Sequence, residues 1–244
     1  MFQVASPILS RTRRGALLPL LLLFWIPDMA LAEQNSTSIE AELEKKLCDI
    51  GIKTECVVLG LMYARGNGIP QNYAIAAQLL QRACDGGEMT GCGGLGIMYM
   101  DGKGVAQDYG MAVSLYTKAC DGGEMQSCFN LGVFSQNGRG VSQDYATAAR
   151  FYKQACDGGE MRSCNNLGQM YYAGRGISQN YAIAAQFHKQ ACDGGNMTGC
   201  NNLGAIYELG QGMPQDFTTA RRLYKQACDG GVTQGCENLK RMYE

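Results

Sequence analysis

Apolar positions in this chain come in short helical patterns cut apart by glycine turns. Leu167, Met170 and Tyr171 stand at i, i+3 and i+4, the spacing of one helix face. Gly174 and Gly176 follow and end that helix, because glycine takes the left-handed backbone of a C-terminal cap without steric cost. Ile177 then reads as an apolar plug in the loop, and Asn180 stands where an N-cap belongs. A second helix is expected from about Tyr181 to Cys192, closed by Asp193–Gly194–Gly195. The unit is an αα-hairpin, whose two helices are called A and B below.

The hairpin returns with a fixed period of 36 residues. Its N-cap site is filled by Asn72, Asp108, Asp144, Asn180 and Asp216, all side chains that accept from exposed helical N–H groups. Within helix A, Gly60, Gly96, Gly132, Gly168 and Gly204 follow the recurring Leu. A mid-helix glycine costs about 1 kcal/mol against alanine, so its recurrence implies close approach of another helix. In the last copy Lys240 replaces it, where no further helix B follows. A strict period of this kind marks an array that grows by stacking neighbours. The fold class is all-α, an α/α-solenoid superhelix of about 12 helices. It is expected to comprise a lone cap helix over 38–50, five hairpins over 54–233 and a closing helix over 234–244.

Cysteine follows the same period, and all 12 are used. Six pairs each enclose seven residues, and they sit at the junction from one helix B to the next helix A. Zinc favours closer Cys knuckles or His partners, and His188 is the only histidine. Disulfides are therefore expected, with no metal. The end of helix B lies near the start of the next helix A and also near the start of its own. Joining Cys56 to Cys84 and so on would strand Cys48 and Cys236. The expected set is Cys48–Cys56, Cys84–Cys92, Cys120–Cys128, Cys156–Cys164, Cys192–Cys200 and Cys228–Cys236, which leaves none over.

The N-terminus agrees with an oxidising destination. Arg11, Arg13 and Arg14 precede an apolar run from Ala16 to Ile26, and Ala30–Leu31–Ala32 has the small-x-small form of a cleavage site. Residues 1–32 read as an export signal and 33–244 as one solenoid, periplasmic or secreted. The apolar run is short of the roughly 20 residues of a spanning helix, and Pro19 and Pro27 interrupt it, so no membrane span is expected after cleavage. A net charge of −1 gives no drive toward nucleic acid.

Leu-Gly-x-x-Tyr, Gly-x-Gly-Val/Ile, an Asx cap and a helix ending in Lys-x-Ala resemble the Sel1-like repeat, a relative of the tetratricopeptide repeat. With Cys-x7-Cys at each junction, the chain is similar to the Helicobacter cysteine-rich proteins, exported and disulfide-stapled. Two local departures stand out: Phe134–Ser135 where other copies have a hydrophobe and Tyr, and His188 where Tyr116, Tyr152 and Tyr224 stand.

Two functions compete. Superhelical αα-arrays expose a concave groove lined mainly by A helices. Asn130, Asn166, Asn202 and Asn238 recur just before the helix-A position of the Leu, with Asn165 and Asn201 beside two of them. Asparagine amides pair with both groups of an extended peptide backbone, so a monomeric scaffold that binds peptides or proteins is expected, without a cofactor. Val58 and Gly94 occupy that position in the first two repeats, which biases such a groove to the C-terminal half. The alternative is a β-lactamase, implied by the resemblance alone, with β-lactams or cell-wall fragments as ligands. The Ser-x-x-Lys and Lys-Thr-Gly motifs of serine β-lactamases are absent, His188 is alone, and no catalytic residue can be named. Gly102–Lys103–Gly104 lacks phosphate-loop spacing and follows a helix, so it reads as a capping turn.

Overall fold

The computed structural model describes residues 39–244; the export signal read at 1–32 lies outside them. Among the described residues there are twelve helices and no strand. Helix α1 spans 39–49. Five hairpins follow, each A helix paired with its B helix: α2 (Lys53–Arg65) with α3 (Tyr73–Asp85), α4 (Met89–Asp101) with α5 (Tyr109–Asp121), and α6 (Met125–Asn137) with α7 (Tyr145–Asp157). The array continues with α8 (Met161–Ala173) and α9 (Tyr181–Asp193), then α10 (Met197–Leu209) and α11 (Phe217–Asp229), and ends with α12 (Thr233–Arg241). None of these helices is long and apolar enough to cross a membrane.

Helices α3 to α11 each begin on a side-chain cap, whereas Ile52 before α2 and Val232 before α12 give none. The expected Asx residues cap the B helices: Asn180 Oδ1 accepts from Ile183 N at 3.0 Å and Asp108 Oδ1 from Met111 N at 2.9 Å. The A helices have a cap that the sequence reading did not name. Glu88, Glu124, Glu160 and Asn196 each accept a backbone N–H of the first turn through the side chain. The residue after Asp-Gly-Gly therefore begins the next repeat. At the other end of helix A the first turn glycine, such as Gly102 with φ 67°, takes the left-handed cap conformation. The second, Gly104, is also left-handed, and a Cβ there would collide with the carbonyl oxygen of Tyr73 in the preceding repeat. The Gly-Lys-Gly turn is thus a cap and an inter-repeat contact together.

The core runs as a line between the two helix layers. Leu59, Leu95, Leu131, Leu167 and Leu203 are buried from helix A; Ala76, Ala112, Ala148, Ala184 and Ala220 are fully buried from helix B. Four of the helix-A glycines face a helix-B ring and Gly60 faces Leu80, as the close-approach reading expects. A Cβ on Gly132 would lie 2.5 Å from Tyr152 Cε1, and one on Gly96 2.7 Å from Tyr116 Cε1. Every cysteine is bonded, in the pairing expected, with the Cα atoms of Cys156 and Cys164 4.7 Å apart. Closing so short a loop contributes roughly 2–3 kcal/mol on the chain-entropy account. That equals the burial of one leucine, about 1.5–3 kcal/mol, so each staple counts as much as a core residue of its repeat.

Consecutive A helices pack backbone to backbone at both ends of the array, α2 on α4 and α10 on α12, whereas consecutive B helices meet through long side chains, as where Lys118 Nζ donates to the Cys84 carbonyl at 3.0 Å. The A layer is therefore the inner side of the curve.

Two alanine substitutions separate close approach from helix propensity. Gly132→Ala should lower stability by about 1–3 kcal/mol through overpacking against Tyr152. Gly110→Ala, at an exposed position that holds alanine in the copies at Ala74, Ala146 and Ala182, should raise it by about 0.4–1 kcal/mol. Denaturant melts of both variants check the opposite signs.

Candidate ligand-binding groove

The inner face is built from three positions per A helix. Toward the N-terminus these are apolar: Val58 and Ile97 are exposed, and Leu61 is half-buried. From the third repeat onward amides dominate. Asn130, Asn166, Asn202 and Asn238 are all half-buried on this face, while their neighbours Asn165 and Asn201 are buried.

The structure divides the asparagines by role. Asn202 Nδ2 donates to Asn165 Oδ1 at 2.9 Å, and Asn238 Nδ2 donates to Asn201 Oδ1 at 3.0 Å. These bonds run between successive A helices, so Asn202 and Asn238 hold the inner layer together as well as facing the groove. Asn130 Oδ1 accepts from Gln126 Nε2 at 3.3 Å, one turn away on its own helix. Asn166 instead lines a cleft of about 240 Å³ with Gln136, Gln169, Tyr145, Tyr172 and Arg175. Sequence periodicity grouped the four asparagines; what separates them is the residue 37 positions earlier, an asparagine for Asn202 and Asn238 but Phe129 for Asn166 and Gly93 for Asn130.

Tyr152 backs this cleft. Its hydroxyl donates to Gln136 Oε1 at 3.1 Å, and burial pushes its pKa up to about 12. Arg162 lies over the Phe129 ring at 4.4 Å and bonds Glu160 and Gln126; that hydrogen bonding to Arg162 holds the Glu160 carboxyl below its ordinary range. A second recess of about 160 Å³ lies one repeat closer to the N-terminus, between Ile97, Gln126 and Asn130. It exists because residue 93 is glycine: a Cβ there would press on Ser127 Oγ at 2.9 Å. The Ser127 hydroxyl is buried on its wall with no hydrogen-bond partner among the described residues.

His188 occupies the ring column of helix B and is 2% exposed, packed on Gly168. Its Nδ1 lies 3.1 Å from Asn165 Oδ1, the oxygen that also accepts from Asn202. Nδ1 is therefore the donor of a neutral imidazole, and His188 continues the amide network into the core.

Burial lowers the His188 pKa to about 4. Because the unfolded chain binds this proton more readily, the contribution of His188 to stability is complete above the unfolded value near 6.5 and is lost as pH falls toward 4. At one pKa unit per 1.36 kcal/mol the loss totals roughly 3 kcal/mol. His188→Tyr, which restores the residue of the other copies, should remove this part of the acid sensitivity. Urea melts of both proteins at pH 7 and pH 4.5 should show a larger drop for the wild type.

The comparisons with known proteins agree with this architecture. The Sel1 repeat profile matches residues 56–88, 91–124, 126–160, 162–196 and 198–232. No curated protein matches the chain. Among solved structures, the protective antigen c5321 of uropathogenic Escherichia coli, described as having an SLR fold, is 32% identical with a TM-score of 0.78; the match covers 82% of this chain and 43% of that one. The chain thus spans less than half of that protein's length. A Sel1 repeat protein from Oxalobacter formigenes is 23% identical with a TM-score of 0.74, covering 87% of this chain and 88% of its own. Helicobacter pylori cysteine rich protein B is 26% identical over 54% of this chain and 94% of its own, with a TM-score of 0.44. With its period, its capped hairpins and five matched repeats, the chain belongs to the Sel1 repeat family.

Proposed function

We propose that this protein is an exported scaffold that binds an extended peptide segment of a partner protein along its inner, A-helix face. The cleft at Asn166 carries the reading. Three amides, those of Gln136, Asn166 and Gln169, converge there with two tyrosines and Arg175. Amides offer a donor and an acceptor each, the complement of a peptide unit. Aromatic rings add contact area at low entropic cost. Toward the N-terminus the same face becomes apolar at Ile97 and Val58, which suits side chains of the same segment. The buried, unpartnered Ser127 hydroxyl adds a polar point between the two regions. Six disulfides among the described residues agree with an oxidising, extracytoplasmic setting.

A random dodecapeptide library selected on the oxidised protein tests this reading. Selected peptides should lose about tenfold in affinity for Asn166→Ala, the effect of one or two peptide hydrogen bonds at about 1 kcal/mol each, while its melting temperature stays unchanged. Asn202→Ala should lower the melting temperature, since it breaks the bond to Asn165. Equal binding to the wild type and Asn166→Ala would contradict the groove assignment.

A further inference from the structure

The inner face is interrupted where two glycines stand side by side. Gly93 and Gly94 of α4 hold the positions of Val57 and Val58 one repeat earlier and of Phe129 and Asn130 one repeat later. Between them and α6 lies the recess of about 160 Å³, with Gly93, Gly94 and Ile97 on one wall and Glu124, Ser127 and Asn130 on the other. Ile97 and the two glycine Cα atoms make the α4 wall apolar.

Two polar groups at the start of α6 face the space that glycine clears. A Cβ on Gly93 would stand 2.9 Å from Ser127 Oγ and 3.0 Å from Glu124 Oε2. Ser127 is fully buried, and its hydroxyl has no hydrogen-bond partner among the described residues. Ser163 repeats that hydroxyl one repeat on, but there Phe129 stands in place of Gly93. Glu124 is half-buried, accepts from Ser127 N at 2.6 Å, and has no salt bridge among the described residues. The matching cap, Glu160, is neutralised by the chain itself: Arg162 Nε donates to it at 2.8 Å while the guanidinium lies over the Phe129 ring. Beside Glu124 the residue at the Arg162 position is Gln126, which brings no charge and whose amide oxygen is held by Arg162.

We propose, resting on the groove reading, that this recess takes the cationic side chain of an arginine or lysine in the bound peptide segment. The aliphatic stem lies on Ile97 and the glycines, as long cationic side chains cover apolar surface while the head stays with polar partners. The head donates to the Glu124 carboxylate and to Ser127 Oγ, a charge-assisted contact that supplies the hydroxyl with the partner the fold does not. In a half-buried recess such a pair is screened less by salt than one on open surface.

Chemical-shift titrations of the oxidised protein with N-acetyl-arginine amide, N-acetyl-lysine amide and the uncharged N-acetyl-citrulline amide test the proposal at the backbone amides of Gly93, Gly94 and Ser127. Saturable shifts with a cationic probe and none with citrulline are expected; response to the arginine probe, the lysine probe or both assigns the head group. Glu124→Gln keeps an oxygen to cap Ser127 N and should weaken binding about tenfold, as expected for loss of one charge-assisted hydrogen bond. Gly93→Ala, whose methyl group would stand between the serine and the carboxylate, should abolish it. Asn166→Ala alters the other cleft and should leave probe binding unchanged, so failure of the groove assignment is read separately from failure at this recess. Absence of saturation by both cationic probes, equal binding of the citrulline probe, or equal affinity for the wild type and Glu124→Gln overturns the proposal.

Discussion

Everything in this array depends on the junction at which one helix B turns into the next helix A. A solenoid has no central core to correct a misplaced unit, so each hairpin is positioned only by its neighbours. Here the four inner junctions are closed three times over, while those before α2 and α12 lack the side-chain cap. A disulfide joins the helix ends, a carboxylate or amide caps the new helix, and the preceding turn glycines seat on the earlier repeat. With the junction fixed, the glycine of helix A meets the ring of helix B and the leucine line becomes continuous. The inner face then inherits a constant spacing, which a linear ligand needs.

The amide network shows how binding and stability share residues. Asn202 and Asn238 bond across successive A helices, and Asn165 relays that contact to His188 in the core. Asn166 sits in the same column without such a bond and looks into the cleft instead. The groove therefore has one region whose asparagines are tied across helices and another whose amides face a cleft, where Gln136 Oε1 is already held by Tyr152. The apolar stretch at Val58 and Ile97 gives it a direction, from apolar at the N-terminal end to amide-rich at the other.

Much of this was legible in the sequence because the repeat supplies its own controls. The hairpins, their Asx caps, the disulfide pairing and the need for a helix-A glycine all follow from comparing positions 36 apart. The glutamate caps of the A helices were hidden, because Glu after two glycines reads as part of a turn rather than the start of a helix. The division among the asparagines was hidden too, since it turns on a contact between residues 37 apart that the 36-residue period does not point to. Ser135 was visible as a departure, and the structure buries it beside the equally buried Phe134.

The most direct test of the junction as the controlling constraint is hydrogen exchange on the Cys156→Ala/Cys164→Ala variant under oxidising conditions. The account predicts loss of amide protection concentrated in α7 and α8, with α2 to α4 retaining theirs, because contacts pass only between neighbours. Unchanged protection at α7 and α8, or an equal loss along the whole array, would contradict it.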